Sequence, residues 1–179
     1  FSKCSLISEK VSKYLLKNKI VAWYKGGSEF GPRALGHRSI LAKPFPGSNK
    51  NYINNKIKFR EEFRPFAPIA LADEAEKYFE LDKPSPHMLY AIKANSLGME
   101  KCPAVVHIDG TARIQTVTKE LNKEIFELLS QFHYDSGIPV LLNTSFNVKG
   151  QPIVETPEEA VKTFLDTAID CLVIEDYVL

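Results

Sequence analysis

The chain has 179 residues, 44% of them hydrophobic and 25% charged, enough for one domain or one and a half around a sizeable core. No apolar run approaches the roughly 18 residues of a membrane span, and Phe1-Ser2-Lys3-Cys4-Ser5-Leu6 lacks the apolar stretch and small-residue cleavage site of a secretory leader. The net charge of +1 hides a gradient: residues 1–70 carry 14 Lys/Arg against 4 Asp/Glu and residues 71–179 carry 9 against 18, which predicts an anionic ligand served mainly by the first part.

In chain order, residues 8–19 predict an amphipathic helix with Ser8 as its cap and Val11, Leu15 and Leu16 as its inner stripe. Ile20–Tyr24 predicts a strand ended by Gly26-Gly27. Residues 29–35 predict a short helical or looped piece, and Ser39–Ala42 a short strand. Asn49–Phe59 predicts a helix, Phe66–Ala72 a strand and Ala75–Leu81 a short helix. Met88–Ala94, Ala104–Ile108 and Ile114–Val117 predict strands. Leu121–Tyr134 is the clearest helix, with Ile125, Leu128, Leu129 and Phe132 on one face and Gly137 past its end. Ile138–Leu142 predicts a buried strand. Thr156 caps a helix over Pro157–Thr167, and Cys171–Ile174 predicts a closing strand. No repeat or linker interrupts the chain, so it reads as one α/β domain over 1–179 with a mixed sheet. The absence of an initiator Met suggests a piece of a longer protein or a processed chain.

Cys4, Cys102 and Cys171 are widely spaced, which predicts reduced cytoplasmic thiols, not a disulfide framework or zinc site. His37, His87, His107 and His133 have no helical metal spacing, so no metal held by this chain's own His and Cys is expected. Only five of the basic residues are Arg: Arg33, Arg38, Arg60, Arg64 and Arg113. Arginine's planar fork suits phosphate and carboxylate, so these five carry more information than the lysines.

Four segments carry chemistry. In Glu29-Phe-Gly-Pro-Arg-Ala-Leu-Gly-His-Arg-Ser-Ile-Leu41, Gly31 and Gly36 bracket Arg33, and Arg38 follows. The plainer alternative is a tight loop whose Arg pairs with Glu29. In Lys58-Phe-Arg-Glu-Glu-Phe-Arg-Pro-Phe-Ala-Pro68, Lys58, Arg60 and Arg64 stand among Phe59, Phe63 and Phe66, which suggests a partly buried cationic segment paired with Glu61, Glu62 or a ligand phosphate. In His107-Ile-Asp-Gly-Thr-Ala-Arg-Ile-Gln-Thr116, Thr111, Arg113 and Gln115 alternate along a strand or polar-faced hairpin. In Leu141-Leu-Asn-Thr-Ser-Phe-Asn147, a buried strand ends in Asn143, Ser145 and Asn147, where α/β sheets commonly bind ligands. The set supplies cations, hydroxyls and amides, with no nucleophile arrangement, P-loop or dinucleotide fingerprint. That chemistry suits phosphate handling by positioning and charge neutralisation.

These four segments, in this order, resemble the C-terminal domain of the NodU/CmcH-type O-carbamoyltransferases from about residue 20 to the end. The resemblance implies a YrdC-like α/β fold, a twisted mixed sheet with flanking helices. It implies an enzyme that uses ATP, carbamoyl phosphate and Mg²⁺ to make carbamoyl-adenylate and pyrophosphate. A separate N-terminal domain of the ASKHA superfamily, holding iron, would pass the carbamoyl group to a small-molecule hydroxyl. The family's nucleotide and phosphate contacts fall on Arg33, Arg64, Arg113, Asn143 and Ser145, and its Lys-x-Arg and Ser-x-Asn signature on Lys58, Arg60, Ser145 and Asn147. Arg38 is a lesser candidate for phosphate binding. Lys58, Arg60 and Arg64 are expected to be catalytic; Lys58, Arg60, Ser145 and Asn147 are expected to hold carbamoyl phosphate, and Arg33, Arg64 and Arg113 the ATP phosphates, with Asn143 on phosphate or ribose. His107 and Asp109 are expected to be structural, in a strand and a turn. Two other functions fit less well: an RNA-binding YrdC-like module, favoured by the basic first part and the relatives of such a fold, and a threonylcarbamoyl-adenylate synthase.

Overall fold

The computed structural model describes residues 2–4 and 6–179; Phe1 and Ser5, part of the N-terminal stretch considered above, lie outside the described residues. The elements in order are β1 (Ser2–Lys3), α1 (Ile7–Leu16), β2 (Val21–Tyr24), β3 (Arg38–Ala42), α2 (Ser48–Lys56), β4 (Ala67–Leu71), a 3₁₀ turn (Ala72–Lys77), β5 (Ile92–Lys93), α3 (Ser96–Lys101), β6 (Thr111–Ala112), β7 (Gln115–Val117), α4 (Lys123–Ser136), β8 (Val140–Ser145), α5 (Pro157–Leu165), β9 (Cys171–Ile174) and β10 (Tyr177–Val178). Eight strands form one mixed sheet in the order β1-β10-β9-β2-β3-β8-β4-β7, and β5 pairs with β6 apart from it. The β2–β9 and β4–β7 pairs are parallel and the others antiparallel.

Strands β2 and β3 are buried at every position, so both faces of the central sheet are covered. The α4 stripe of Ile125, Leu128, Leu129 and Phe132 is wholly buried, and the helix ends on Gly137 in the left-handed conformation, as its sequence predicts. α5 begins with a full capping box between Thr156 and Glu159. In α1 the stripe also holds, but Leu6 occupies the N-cap position, with no side-chain cap bond, and Ser8 lies inside the helix.

Three sequence expectations change: the helix expected over Ala75–Leu81 is a 3₁₀ turn over Ala72–Lys77, and the other two are strands. Ala104–Ile108 is not a strand but a turn, in which Ala104 donates its N–H to Pro44 O while Ala104 and Val105 are buried. A short apolar run fits a buried turn as well as a strand. Of Met88–Ala94 only Ile92–Lys93 is extended. Helix α3, which no amphipathic pattern announces, is capped by the Asn95 side chain, which accepts from Gly98 N. Gly98 faces the Tyr78 carbonyl so closely that a Cβ there would lie 2.1 Å from the oxygen. Gly98→Ala is therefore expected to force a backbone shift and cost about 3 kcal/mol; thermal unfolding beside wild type checks this.

Candidate functional site: an arginine-lined cleft at the end of β8

The loop between β2 and β3 carries Arg33, and its shape is set by hydrogen bonds from several elements. The Glu29 carboxylate does not pair with an arginine side chain; it accepts backbone N–H groups from Leu35, His37 and Arg38. Three carbonyls of the loop are held from outside: Ala34 O accepts from Asn143 Nδ2, Leu35 O from Gln115 Nε2 and Gly36 O from Trp23 Nε1. Gly36 has φ +99°, a conformation that L side chains rarely adopt, and a Cβ there would lie 3.2 Å from Ile125, which would have to shift by a few tenths of an ångström. With its neighbours fixed, Arg33 projects with no carboxylate partner among the described residues.

The segment after α2 folds around Asn54. Its buried amide accepts from Arg60 Nε at 2.7 Å and donates to the carbonyls of Glu62 and Arg64. Arg60 lies over the Phe66 ring, 4.8 Å from its centre. Burial, and next the charge of Arg64, push the Arg60 guanidinium below its usual range. Lys58 is 3% exposed, and its Nζ reaches four oxygens: Ser145 O at 2.8 Å, Ser145 Oγ at 3.2 Å, Asn147 O at 2.8 Å and Asn147 Oδ1 at 2.6 Å. Burial, then Arg60, push it down to about 7. Phe59 and Phe63 are exposed, contrary to the expected burial of the flanking aromatics; only Phe66 is buried.

A cleft of about 250 Å³ opens where β8 ends, lined by Arg33, Arg60, Arg113, Asn143, Thr144 and Ser145, with Phe66, Met88 and His107 completing the wall. Five of the nine candidate residues thus share one cavity, and Lys58 and Asn147 join it through Ser145. Three guanidiniums meet there, none in an ion pair with a carboxylate among the described residues. A second groove of about 340 Å³ shares Arg33, Pro32, Met88 and Arg113 with the cleft and adds Phe30, Leu35, His87 and Leu89.

The remaining two candidates neither line the cleft nor join it through Ser145. Arg64 is half-exposed and pairs with Glu61 at 3.1 Å. Arg38 is buried on the Tyr24 ring, 3.5 Å from its centre, and its Nη1 reaches Lys25 O and His37 O. His107 is in a turn, not a strand, and belongs to the cleft wall. Asp109 fixes the turn as expected, accepting from Thr111 N and Oγ1. Among the described residues no three His, Cys, Asp or Glu side chains form a metal-binding group, and no helix is long and apolar enough to cross a membrane.

The sheet and its helices define a YrdC-like α/β domain. The nucleotide- and phosphate-bound structure of full-length HypF superposes with a TM-score of 0.66 at 18% identity, over 94% of this chain and 24% of that one. The threonine complex of P. abyssi Sua5 gives 0.63 at 13% identity, over 94% and 46%. The family model for the carbamoyltransferase C-terminus matches residues 12–179, and the chain belongs to that family. The nodulation protein NolNO of Sinorhizobium fredii is 41% identical, over 99% of this chain and 26% of its own length. Nodulation protein U from the same species is 44% identical, over 84% and 26%. The chain spans between about a quarter and a third of the length of such curated relatives.

Proposed function

We propose that this chain is the carbamoyl-activating part of a carbamoyltransferase, making carbamoyl-adenylate from carbamoyl phosphate and ATP. The observation that carries it is the meeting of three arginines without carboxylate partners, from three separate segments, at the end of β8. Such a cleft suits a highly charged anion, because guanidinium groups gathered without a counter-charge offer paired donors to phosphate and carboxylate oxygens. In a balanced reaction, water splits carbamoyl phosphate into carbamate and phosphate. A carbamate oxygen then attacks the α-phosphorus of ATP, and pyrophosphate leaves.

The two compartments support a division of labour. The small inner cleft suits carbamoyl phosphate, with Lys58, Arg60, Ser145 and Asn147 at its inner side. The adjoining groove suits the nucleotide, with Arg33 and Arg113 on its phosphates. The cleft lining holds no carboxylate, so Mg²⁺ would travel on the ATP phosphate oxygens and spread their charge. Passage of the carbamoyl group to a small-molecule hydroxyl, in the cytoplasm, would fall to the further part of the protein that the longer relatives share.

Calorimetric titration with carbamoyl phosphate and a non-hydrolysable ATP analogue tests this function. Both are expected to bind wild type. Arg64→Ala decides whether Arg64 leaves Glu61 for the ligand: a loss of affinity of about tenfold or more places it in the site, and equal binding removes it. An RNA titration at two salt concentrations tests the RNA-binding alternative. Strong salt-dependent RNA binding with no affinity for either small ligand would replace the proposed function.

A further inference from the structure

His107 is joined to Thr111 and Asp109 in a way that fixes which ring nitrogen carries its proton. Thr111 Oγ1 lies 2.7 Å from Asp109 Oδ1 and 3.1 Å from His107 Nδ1. The carboxylate is an acceptor only, held below its usual range chiefly by the Thr111 hydroxyl. The hydroxyl proton therefore goes to Asp109, and the hydroxyl oxygen must accept from Nδ1–H. Burial holds the imidazole below its ordinary pKa, so the neutral ring is favoured. Its remaining nitrogen, Nε2, is then a hydrogen-bond acceptor on a residue of the cleft wall.

Asn143 offers a second acceptor by a similar argument. Gln115 Nε2 is committed to the backbone oxygen of Leu35, so Gln115 Oε1 faces Asn143. Asn143 Nδ2 donates to that oxygen and to Ala34 O. Asn143 Oδ1 is buried and has no partner, an arrangement that costs stability unless a ligand supplies a donor. The three arginines offer donors alone, as a phosphate requires. The dianionic phosphate of an acyl phosphate carries no hydrogen to offer an acceptor, so two acceptors point to a ligand with N–H groups beside its anionic end. The cavity's about 250 Å³ suits a small molecule.

We propose that His107, aligned by Thr111 and Asp109, accepts a hydrogen bond from the amino group of carbamoyl phosphate and selects it over acyl phosphates that carry a methyl group there. This rests on the carbamoyl-activating function proposed above. His107 is thus a specificity-determining residue, with Thr111 and Asp109 in positioning roles and Asn143 Oδ1 as a second acceptor for the same group. An acetyl methyl would leave these acceptors unpaired, the kind of mismatch by which polar sites reject analogues.

The test compares the dissociation constants of carbamoyl phosphate and acetyl phosphate by calorimetry, with inorganic phosphate as a check on the cation set. Wild type is expected to prefer carbamoyl phosphate by about tenfold or more. His107→Ala is expected to bring the ratio close to one. His107→Gln, which returns an acceptor oxygen, is expected to restore part of it, and Thr111→Val to give an intermediate ratio by freeing the tautomer. Should His107→Ala not fold, the Gln and Val variants carry the comparison. If wild type binds carbamoyl phosphate but the ratio is near one, or is unchanged in the variants, the role of His107 is overturned while the proposed function stands. If the variants weaken only the ATP analogue, the acceptor serves ribose and the proposal is likewise overturned. If wild type binds no carbamoyl phosphate, the proposed function fails and this inference falls with it.

Discussion

Arg113→Ala is expected to lower carbamoyl-phosphate-dependent ATP–pyrophosphate exchange by about a hundredfold or more while leaving the fold intact. The first half follows from its place. Arg113 is shared by the inner cleft and the adjoining groove, so its fork can bridge the two reactants. Each hydrogen bond to a charged group contributes about 1.5–3 kcal/mol, and the fork offers two. The second half follows from what Arg113 lacks. It has no ion pair with a carboxylate among the described residues, so its removal breaks none. Unfolding free energy is expected to stay within about 0.5 kcal/mol of wild type. Arg113→Lys keeps the charge without the fork and is expected to fall between the two. Exchange rates beside denaturant unfolding check all three statements.

Lys58→Met is expected to damage both stability and anion binding. Met fills a similar volume but gives the Asn147 carbonyl no donor in place of Nζ, while Ser145 O keeps the Asn147 N–H. One partly buried acceptor left unpaired costs about 1–3 kcal/mol, or about 3–9 °C in Tm for a chain of this size. The pH dependence has a definite sign. Burial pushes the Lys58 ammonium down to about 7 from the usual lysine range, so it loses its charge as pH rises through neutrality. Sulfate, an anion that does not itself titrate in this range, is therefore expected to bind more weakly at pH 8.5 than at pH 6.5. Bound anion favours the ammonium form, so binding near pH 7.5 should take up a fraction of a proton. Calorimetry in buffers of different ionisation enthalpy measures that uptake, and Lys58→Met should abolish it.

The helices with a strong period and a cap, α4 and α5, were legible in the sequence, because their stabilising contacts are local or lie on one apolar stripe. The apolar strands β2, β3, β8 and β9 were legible because burial on both faces leaves each a short, nearly continuous apolar run. Ala104–Val105 misled because burial, not pairing, explains its apolar character. α3 escaped notice because six residues hold no amphipathic period, and Asn95 is the one local signal for it. At the site, the residue types were legible but not their directions. Arg38 and Arg33 stand in one motif, yet Arg38 turns onto Tyr24 while Asn143 and Gln115 clamp the loop that presents Arg33. His107 looked structural because its tie to Thr111 and Asp109 is local; its place in the cleft depends on β8 and the Arg33 loop, both distant in sequence. The charge gradient pointed to an anion, and the structure narrows that to three guanidiniums, one of them from the acidic part of the chain.

The central claim is that this cleft joins a carbamoyl group to adenylate. Its most direct test is incorporation of labelled pyrophosphate into ATP by the purified chain with Mg²⁺, with and without carbamoyl phosphate. The account predicts incorporation that requires carbamoyl phosphate and disappears in Arg113→Ala. Incorporation without carbamoyl phosphate, or none at all from folded protein that binds both ligands, would contradict it.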